Sequence, residues 1–379
     1  MKSTGIVRKV DELGRIVLPI ELRRTLDINE RDALEIYVDT NQIILKKYEP
    51  ACIFCNNASD VVSECLKGLA RANPQLCYTE QLEVISCKSK TPNKVGVVSG
   101  GGSGHEPAHA GYVGKGMLDA AVAGNMFSSP SPDRIIKGIQ EADSGAGVLL
   151  VIKNYSGDIM NFDMAREMAE MDGIRVESVV VRDDVAVPDS TYSTGRRGIA
   201  GTVFVHKIAG AKAETGASLD EVKAAAEKAI ANIRSMGMAM TPCTLPAVGK
   251  PGFELADDEI EIGMGIHGEP GVERTKVLSA RETAQILLDK ILDDYDFTGS
   301  EVALMVNGLG GTPLMELYIL NNDVQDILAQ KGIKIYKTFV GNYMTAIEMA
   351  GCSLTLMKLD EELKELLDAP CSTTALTLP

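Results

Sequence analysis

Val95-Gly-Val-Val-Ser-Gly-Gly-Gly-Ser-Gly-His-Glu-Pro107 joins an apolar strand to a glycine turn that ends on a histidine. Glycine has no Cβ, so such a turn lets the backbone come close to a ligand and offers its N–H groups as an oxygen-binding nest. Its place, at the carboxyl end of a buried strand, is where α/β sheets bind their ligands. Outward from this stretch, similar short apolar runs recur at Val148-Leu-Leu-Val-Ile152, Val176-Glu-Ser-Val-Val-Val181, Val302-Ala-Leu-Met-Val306 and Leu354-Thr-Leu-Met-Lys358. Helical stretches separate them, which is the pattern of α/β layering around buried sheets. Ser218-Leu-Asp-Glu221 has the spacing of a capping box and opens a helix expected to run to about Arg234. A Pro/Gly-rich section follows Gly237. These features predict two α/β domains, residues 58–236 and 237–379, with mixed, largely parallel sheets.

Residues 1–50 follow another pattern. Gly5-Ile-Val-Arg-Lys-Val10 and Ile16-Val-Leu18 read as strands on either side of the turn Glu12-Leu-Gly-Arg15. Pro19 opens a short helix over Ile20 to Leu26, a position that suits its fixed φ. Leu34-Glu-Ile-Tyr-Val38 and Gln42-Ile-Ile-Leu45 read as a hairpin around Asp39-Thr-Asn41. A unit of about 50 residues buries little apolar surface, so dimerisation is expected to complete its core. Residues 51–57 are the expected linker.

The 379 residues carry a formal charge of −15. Residues 1–50 hold nine basic and nine acidic residues, which leaves 29 basic and 44 acidic residues for the remainder. Residues 1–24 alone hold six basic against three acidic. A basic head on an acidic body predicts two modules with different partners, and the body would repel nucleic-acid phosphates. No apolar run approaches ~18–20 residues, so no membrane span is expected. The first residues have no apolar signal core, and the eight cysteines lack the spacing of a disulfide framework. Both point to a cytoplasmic protein with free thiols. Cys52-x-x-Cys55 is half of a zinc site with no matching second pair, so no metal is expected. Asp257-Asp-Glu259 and Asp293-Asp-Tyr-Asp296 lie outside the glycine loops and read as solvated loops rather than Mg²⁺ ligands.

Three stretches carry candidate chemistry. In the first, Gly102, Ser103, Gly104 and His105 form the nest and its histidine. No Gly-Lys-Ser/Thr follows, so it is not a phosphate loop of the Walker kind, and His105 stands where a dinucleotide fingerprint has its third glycine. The second is Lys153-Asn-Tyr-Ser-Gly-Asp158, where Lys153 can neutralise an oxyanion and Asp158 can accept a hydroxyl proton. The plainer reading makes Asp158 a cap for a helix from Ile159. The third is Glu261-Ile-Gly-Met-Gly-Ile-His-Gly-Glu-Pro-Gly271, which sets His267 among four glycines with little bulk to bury it. A neutral imidazole there is a competent nucleophile towards an electrophilic carbon. His109 reads as a supporting residue behind the first loop, and His206, in Phe204-Val-His-Lys-Ile-Ala209, as an ordinary helix position.

On these motifs, residues from about 57 to 379 resemble the dihydroxyacetone-binding K subunits of dihydroxyacetone kinases: SGGGSGHEPAHAGYVGKGML, KNYSGD, STGRRGIAGTV, GIHGEPG and GTPLMELY occur in order. The resemblance implies that His267 forms a covalent hemiaminal with the ketone, and that His105 and Asp158 act on the substrate hydroxyls. It implies that Gly102, Ser103, Gly104 and Lys153 complete the pocket and that the protein is a homodimer. No L domain follows before Pro379, so the resemblance implies phosphoryl transfer from a separate L subunit. The phosphotransferase-system-dependent type is favoured, an ATP-using L subunit being the alternative. ADP or ATP with Mg is expected on that partner, and no cofactor on this chain. Residues 1–48 resemble the AbrB/SpoVT swapped-hairpin DNA-binding family through MKSTGIVRKVDELGRIVLPIELRRTL, with Asp27-Ile28 in place of the usual Gly-Ile. That likeness implies DNA contacts from Arg8, Lys9, Arg15, Arg23 and Arg24. The rival to an enzyme subunit is a transcription regulator that responds to dihydroxyacetone. A third reading makes the head a dimerisation device or a relic of a fusion.

Overall fold

The computed structural model describes residues 6, 8–12, 15–26, 28–29, 34–39, 42–47, 60–188, 195–245 and 251–379. The chain divides into two compact units, one of residues 1–58 with 246–250 and one of 59–245 with 251–379. The 51–57 linker, Cys52 and Cys55 lie outside the described residues.

In the first unit Pro19 precedes helix α1 (Ile20–Thr25), as its fixed φ favours. Strands β1 (Leu34–Asp39) and β2 (Gln42–Lys47) pair antiparallel, with Asp39 opposite Gln42. The turn before α1 also forms: the Asp11 N–H donates to the Arg15 carbonyl, and Arg15 Nε meets Asp11 Oδ2 at 2.8 Å. The two strands expected around that turn are not seen, since the described residues of 6–10 and 16–18 lie outside helix and strand. Val10 and Val17 remain 64% and 73% exposed, and Pro19 is buried.

The second unit begins with α2 (Val61–Ala72), β3 (Leu76–Thr79), β4 (Val84–Cys87), β5 (Gly96–Ser103), β6 (Ala120–Met126), α3 (Pro132–Ala142), β7 (Val148–Lys153), α4 (Ser156–Met171) and β8 (Val176–Val181). Their sheet has the order β3-β4-β6-β5-β7-β8, with the four strands from β6 to β8 parallel. Helices α5 (Thr202–Glu214) and α6 (Leu219–Ala231) lead to β9 (Ile233–Ala239), and then come β10 (Glu259–Ile262), β11 (Glu273–Lys276), α7 (Ala280–Asp294), β12 (Glu301–Gly308), α8 (Leu314–Gln330), β13 (Lys334–Gly341), β14 (Gly351–Leu359) and α9 (Glu361–Asp368). The second sheet has the order β11-β10-β9-β14-β12-β13, in which only β12 and β13 run parallel. The parallel share is therefore smaller than the apolar runs suggested. β14 is buried along nearly its whole length yet antiparallel to both neighbours. A continuous apolar strand reports burial on both faces, not direction.

The capping box at Ser218 forms, with the Ser218 N–H donating to Glu221 at 2.8 Å. The helix it opens stops at Ala231, and Arg234 belongs to β9. The second sheet thus starts at Ile233, inside the segment expected to close the first domain. One apolar core runs through both sheets, from Val97 and Leu149 past Val203 and Phe204 on α5 to Met305 and Phe339. Each fully buried aliphatic side chain in it contributes about 1.5–3 kcal/mol. Among the described residues no helix is long and apolar enough to cross a membrane.

Candidate functional site

The chain leaves β5 towards β6 on one side and crosses back to β7 on the other. Such a switch of direction opens a crevice at the strand ends. The β5–β7 pairing stops at Ser99 opposite Val151, while β5 continues along β6 to Ser103. Lys153 ends β7, and Asp158 lies in the first turn of α4. A Cβ on Gly101 would stand 3.2 Å from Lys153 Nζ and 3.5 Å from Asp158 Oδ2, so glycine keeps the space between those charges open.

His105 is wholly buried, and its ring stacks on Phe127 at 5.0 Å. Nδ1 lies 2.8 Å from the Thr345 carbonyl, which can only accept, so Nδ1 carries the proton. The backbone joins in: Thr345 N–H donates to His105 O, and Ile347 N–H to Gly104 O. The segment between β13 and β14 is thereby laced to the glycine loop. Burial, then the charges of Lys153 and His267, hold the His105 pKa well below its usual value, so the ring is neutral and Nε2 accepts.

His267 comes from the loop between β10 and β11. Its Nε2 stands 3.0 Å from His105 Nε2, and its Nδ1 donates to Glu269 Oε1 at 2.9 Å. Burial raises the Glu269 pKa, but the hydrogen bond and charge of His267 outweigh it and hold the carboxyl at about 2. Glu269 therefore fixes the tautomer of His267 and leaves Nε2 as its reactive nitrogen. With both Nδ1 atoms donating, the Nε2–Nε2 contact is a hydrogen bond only if one proton is shared along it. His267 is 18% exposed and is caged by Tyr155 at 4.5 Å and Phe127 at 5.2 Å. A Cβ on Gly265 would run into the Glu269 carboxylate and approach Arg197, so only glycine admits this arrangement. Arg197 is itself held by Asp184 at 2.7 Å and by the Gly263 carbonyl at 2.8 Å.

Asp158 accepts from the Ser129 hydroxyl. Burial raises its pKa, against the pull of Lys153 and Ser129. Burial lowers that of Lys153, against Asp158 and Glu269. Lys153 Nζ and the Tyr155 hydroxyl are buried without hydrogen-bond partners among the described residues. Two buried polar groups left unsatisfied beside the histidine pair are what a polar ligand would complete.

His105, His267, Lys153 and Asp158 thus meet in one crevice, while two donors of the glycine run are bound within the chain. The Gly104 N–H donates to the Glu106 carboxylate at 3.1 Å, and the Ser103 hydroxyl to the Gly124 carbonyl at 2.8 Å. Both donors are already engaged. Sequence reasoning missed Glu269 and Tyr155, though each stood inside a quoted motif, and it missed Phe127, Ser129 and Thr345, which only the fold brings near. Asp294 is a correction: it is not a solvated loop residue but pairs with both Arg196 and Arg234. The five basic candidates for DNA contact, Arg8, Lys9, Arg15, Arg23 and Arg24, are described, with Arg15 paired to Asp11 and Arg23 half-buried. Among the described residues no three His, Cys, Asp or Glu side chains are grouped to hold a metal.

Fold and site define a two-sheet α/β protein with paired histidines over a lysine–aspartate crevice. Residues 67–375 match the Dak1 domain family. A "PTS-dependent dihydroxyacetone kinase 1, dihydroxyacetone-binding subunit DhaK" of Listeria innocua is 54% identical over 323 residues, covering 84% of this chain and 98% of its own length. The solved structure of a "Dihydroxyacetone kinase operon co-activator Dha-DhaQ" aligns with a TM-score of 0.80 and 38% identity, over 83% of this chain and 98% of that one. The chain belongs to the dihydroxyacetone kinase family defined by the Dak1 domain. Residues 7–52 match the family "Antidote-toxin recognition MazE, bacterial antitoxin". The solution structure of the N-domain of the transcription factor abrB is 82% identical over 13% of this chain and 96% of that domain, with a TM-score of 0.13.

Proposed function

We propose that the chain captures dihydroxyacetone as a hemiaminal on His267 and presents a terminal hydroxyl for phosphorylation by a separate L subunit, giving dihydroxyacetone phosphate. The observation that carries this reading is the pair of rings: His267 Nδ1 is fixed on Glu269, and Nε2 faces His105 at 3.0 Å. The shared proton moves to His105 Nε2, and the freed lone pair of His267 Nε2 attacks the ketone carbon. The C=O π pair becomes an alkoxide, which takes the proton from His105. The substituted His267 ring is then an imidazolium paired with the Glu269 carboxylate, and His105 is again neutral. Non-covalent binding of so few atoms is limited, and a reversible bond also rejects glycerol, which has no carbonyl. Asp158, its basicity raised by burial, accepts the terminal hydroxyl proton as that oxygen attacks phosphorus. Lys153 balances charge beside it. The phosphoryl donor, with its Mg²⁺ and ADP or ATP, belongs to the L subunit, and the 54% identity to a PTS-dependent relative favours the phosphotransferase type. The test adds an L subunit with ATP or with the phosphotransferase proteins. Triose phosphate should form only when the L subunit is present. Its absence with every L subunit, while dihydroxyacetone still binds, would sink the kinase reading.

The N-terminal unit supports a second role in a cytoplasmic homodimer. Exposed Val10, Ile16, Val17, Ile20, Ile36 and Ile43 offer an apolar surface for a second copy. Arg8, Lys9, Arg15, Arg23 and Arg24, within or beside the match at residues 7–52, suit contacts with DNA phosphates and bases. The likeness to an operon co-activator favours a response to dihydroxyacetone. Salt-sensitive promoter binding that changes on adding dihydroxyacetone is the expected result, and no DNA binding at low salt contradicts it.

A further inference from the structure

Behind the crevice lies a second group of buried polar atoms that the reaction above does not use. Ser99 Oγ donates to the Val151 carbonyl at 2.7 Å, across the last β5–β7 register pair. That is the fork at which β5 leaves β7 and the Gly100–Gly102 run begins. His109 Nδ1 lies 3.2 Å from the same Ser99 Oγ. The hydroxyl has one proton and it is already donated, so it can only accept from His109. His109 therefore carries its proton on Nδ1, and Nε2 presents a lone pair. Among the described residues that Nε2 is buried without a partner, as are both ring nitrogens of His206 and the Thr202 hydroxyl. Thr202 and His206 are four residues apart on α5, hence on one face of the helix. The rings of His109 and His206 meet edge to face at 5.3 Å. Burial, then the Lys153 charge, holds the His206 pKa at about 3, and the same two causes keep His109 well below its usual value. Both rings are neutral.

We propose that water bound between His109 Nε2, His206 and Thr202 locks the His109 tautomer, and that His109 is a positioning residue which clamps the strand fork carrying Gly101 and Lys153. Buried polar atoms of native proteins are nearly always paired, and two ring acceptors, an N–H and a hydroxyl are what a water molecule can join. Among the described residues the His109 ring makes no hydrogen bond or ring contact with the histidine pair or Asp158. It acts through Ser99 on the width of the crevice, so it governs capture of the ketone more than the later transfer.

This inference rests on the proposed ketone site, and its tests separate the two. His109→Phe keeps the bulk and removes the clamp. It should raise KM for dihydroxyacetone by roughly 10- to 100-fold with kcat within about threefold. His109→Asn keeps a donor at the Nδ1 position and should recover most of that loss, whereas His109→Gln, with its donor at the Nε2 position, should not. Ser99→Ala should reproduce the His109→Phe effect, and it carries the kinetic test if His109→Phe does not fold. Wild-type KM in the folded variants, or equal loss in Asn, Gln and Phe, overturns the proposal. Nitrogen-15 histidine spectra of the intact chain read the tautomer without any substrate. An Nδ1–H signal from His109 is expected, and an Nε2–H signal overturns the clamp even if the ketone binds. A high-resolution crystal structure with no water density between His109 and His206 overturns the bridge. Should the wild-type chain fail to bind dihydroxyacetone while His109 shows Nδ1–H, the functional reading fails and the tautomer assignment stands.

Discussion

Two glycine loops, each ending on a histidine, meet in one crevice, and they hold their rings by different means. His105 is buried, its Nδ1 anchored on a neutral backbone carbonyl and its chain laced to Thr345 and Ile347. His267 is partly exposed, its Nδ1 anchored on a carboxylate that Gly265 makes room for. A carbonyl partner orients a ring. A carboxylate partner also stabilises positive charge on it, as bond formation at Nε2 requires. The difference supports the proposed roles, nucleophile for His267 and proton handling for His105.

Exchanging the roles is the strongest way to break this comparison. His267→Ala should lower kcat/KM by at least ~10⁴-fold and abolish covalent capture, whereas His105→Asn should retain capture and lose roughly 10²-fold. Equal loss of adduct in both variants would contradict the assignment. Glu269→Gln removes the carboxylate and permits the wrong tautomer, so a loss of roughly 10²- to 10⁴-fold is expected in steady-state kinetics. Gly265→Ala sharpens the point from a distance: the new Cβ displaces Glu269 and should cost about 10- to 100-fold with little change in melting temperature. Arg197→Met breaks a buried ion pair and should destabilise by about 3 kcal/mol, with faster hydrogen exchange in residues 263–271 than in 99–107. The last effect is in pH and leaves the crevice aside. His206 titrates at about 3 in the fold against an ordinary 6.5. The unfolded chain therefore takes up a proton that the fold refuses. Stability contributed by the neutral ring is full above pH 6.5 and lost as pH falls towards 3, by about 1.4 kcal/mol per unit. His206→Gln should flatten the chemical-denaturation profile by one proton across that window.

The same contrast shows what a sequence can disclose. β5, β7, β8 and β12 were legible because burial on both faces leaves an apolar run bounded by breakers. The direction of β14 was not, because pairing partners are chosen across more than a hundred residues. The strands expected around Glu12–Arg15 do not appear among the described residues of 6–10 and 16–18. Within the site, His105, Lys153, Asp158 and His267 were legible from their place at strand ends. Glu269, two residues beyond its histidine, could have been found by asking what orients the ring. Thr345 lies 240 residues from His105 and carries no local signal at all. The engaged donors of Ser103 and Gly104 were equally hidden, since a glycine-rich run shows that N–H groups are accessible but not whether a neighbour such as Glu106 already uses them.

The claim on which the account turns is the bond from His267 Nε2 to carbon. Carbon-13 spectra of dihydroxyacetone labelled at its carbonyl, taken with the intact chain, test it directly. The account predicts that the bound ketone resonance is replaced by one in the range of a tetrahedral carbon bearing oxygen and nitrogen, and that this signal is lost in His267→Ala. A bound ligand that keeps its carbonyl resonance, or a tetrahedral signal that survives in His267→Ala, would contradict it.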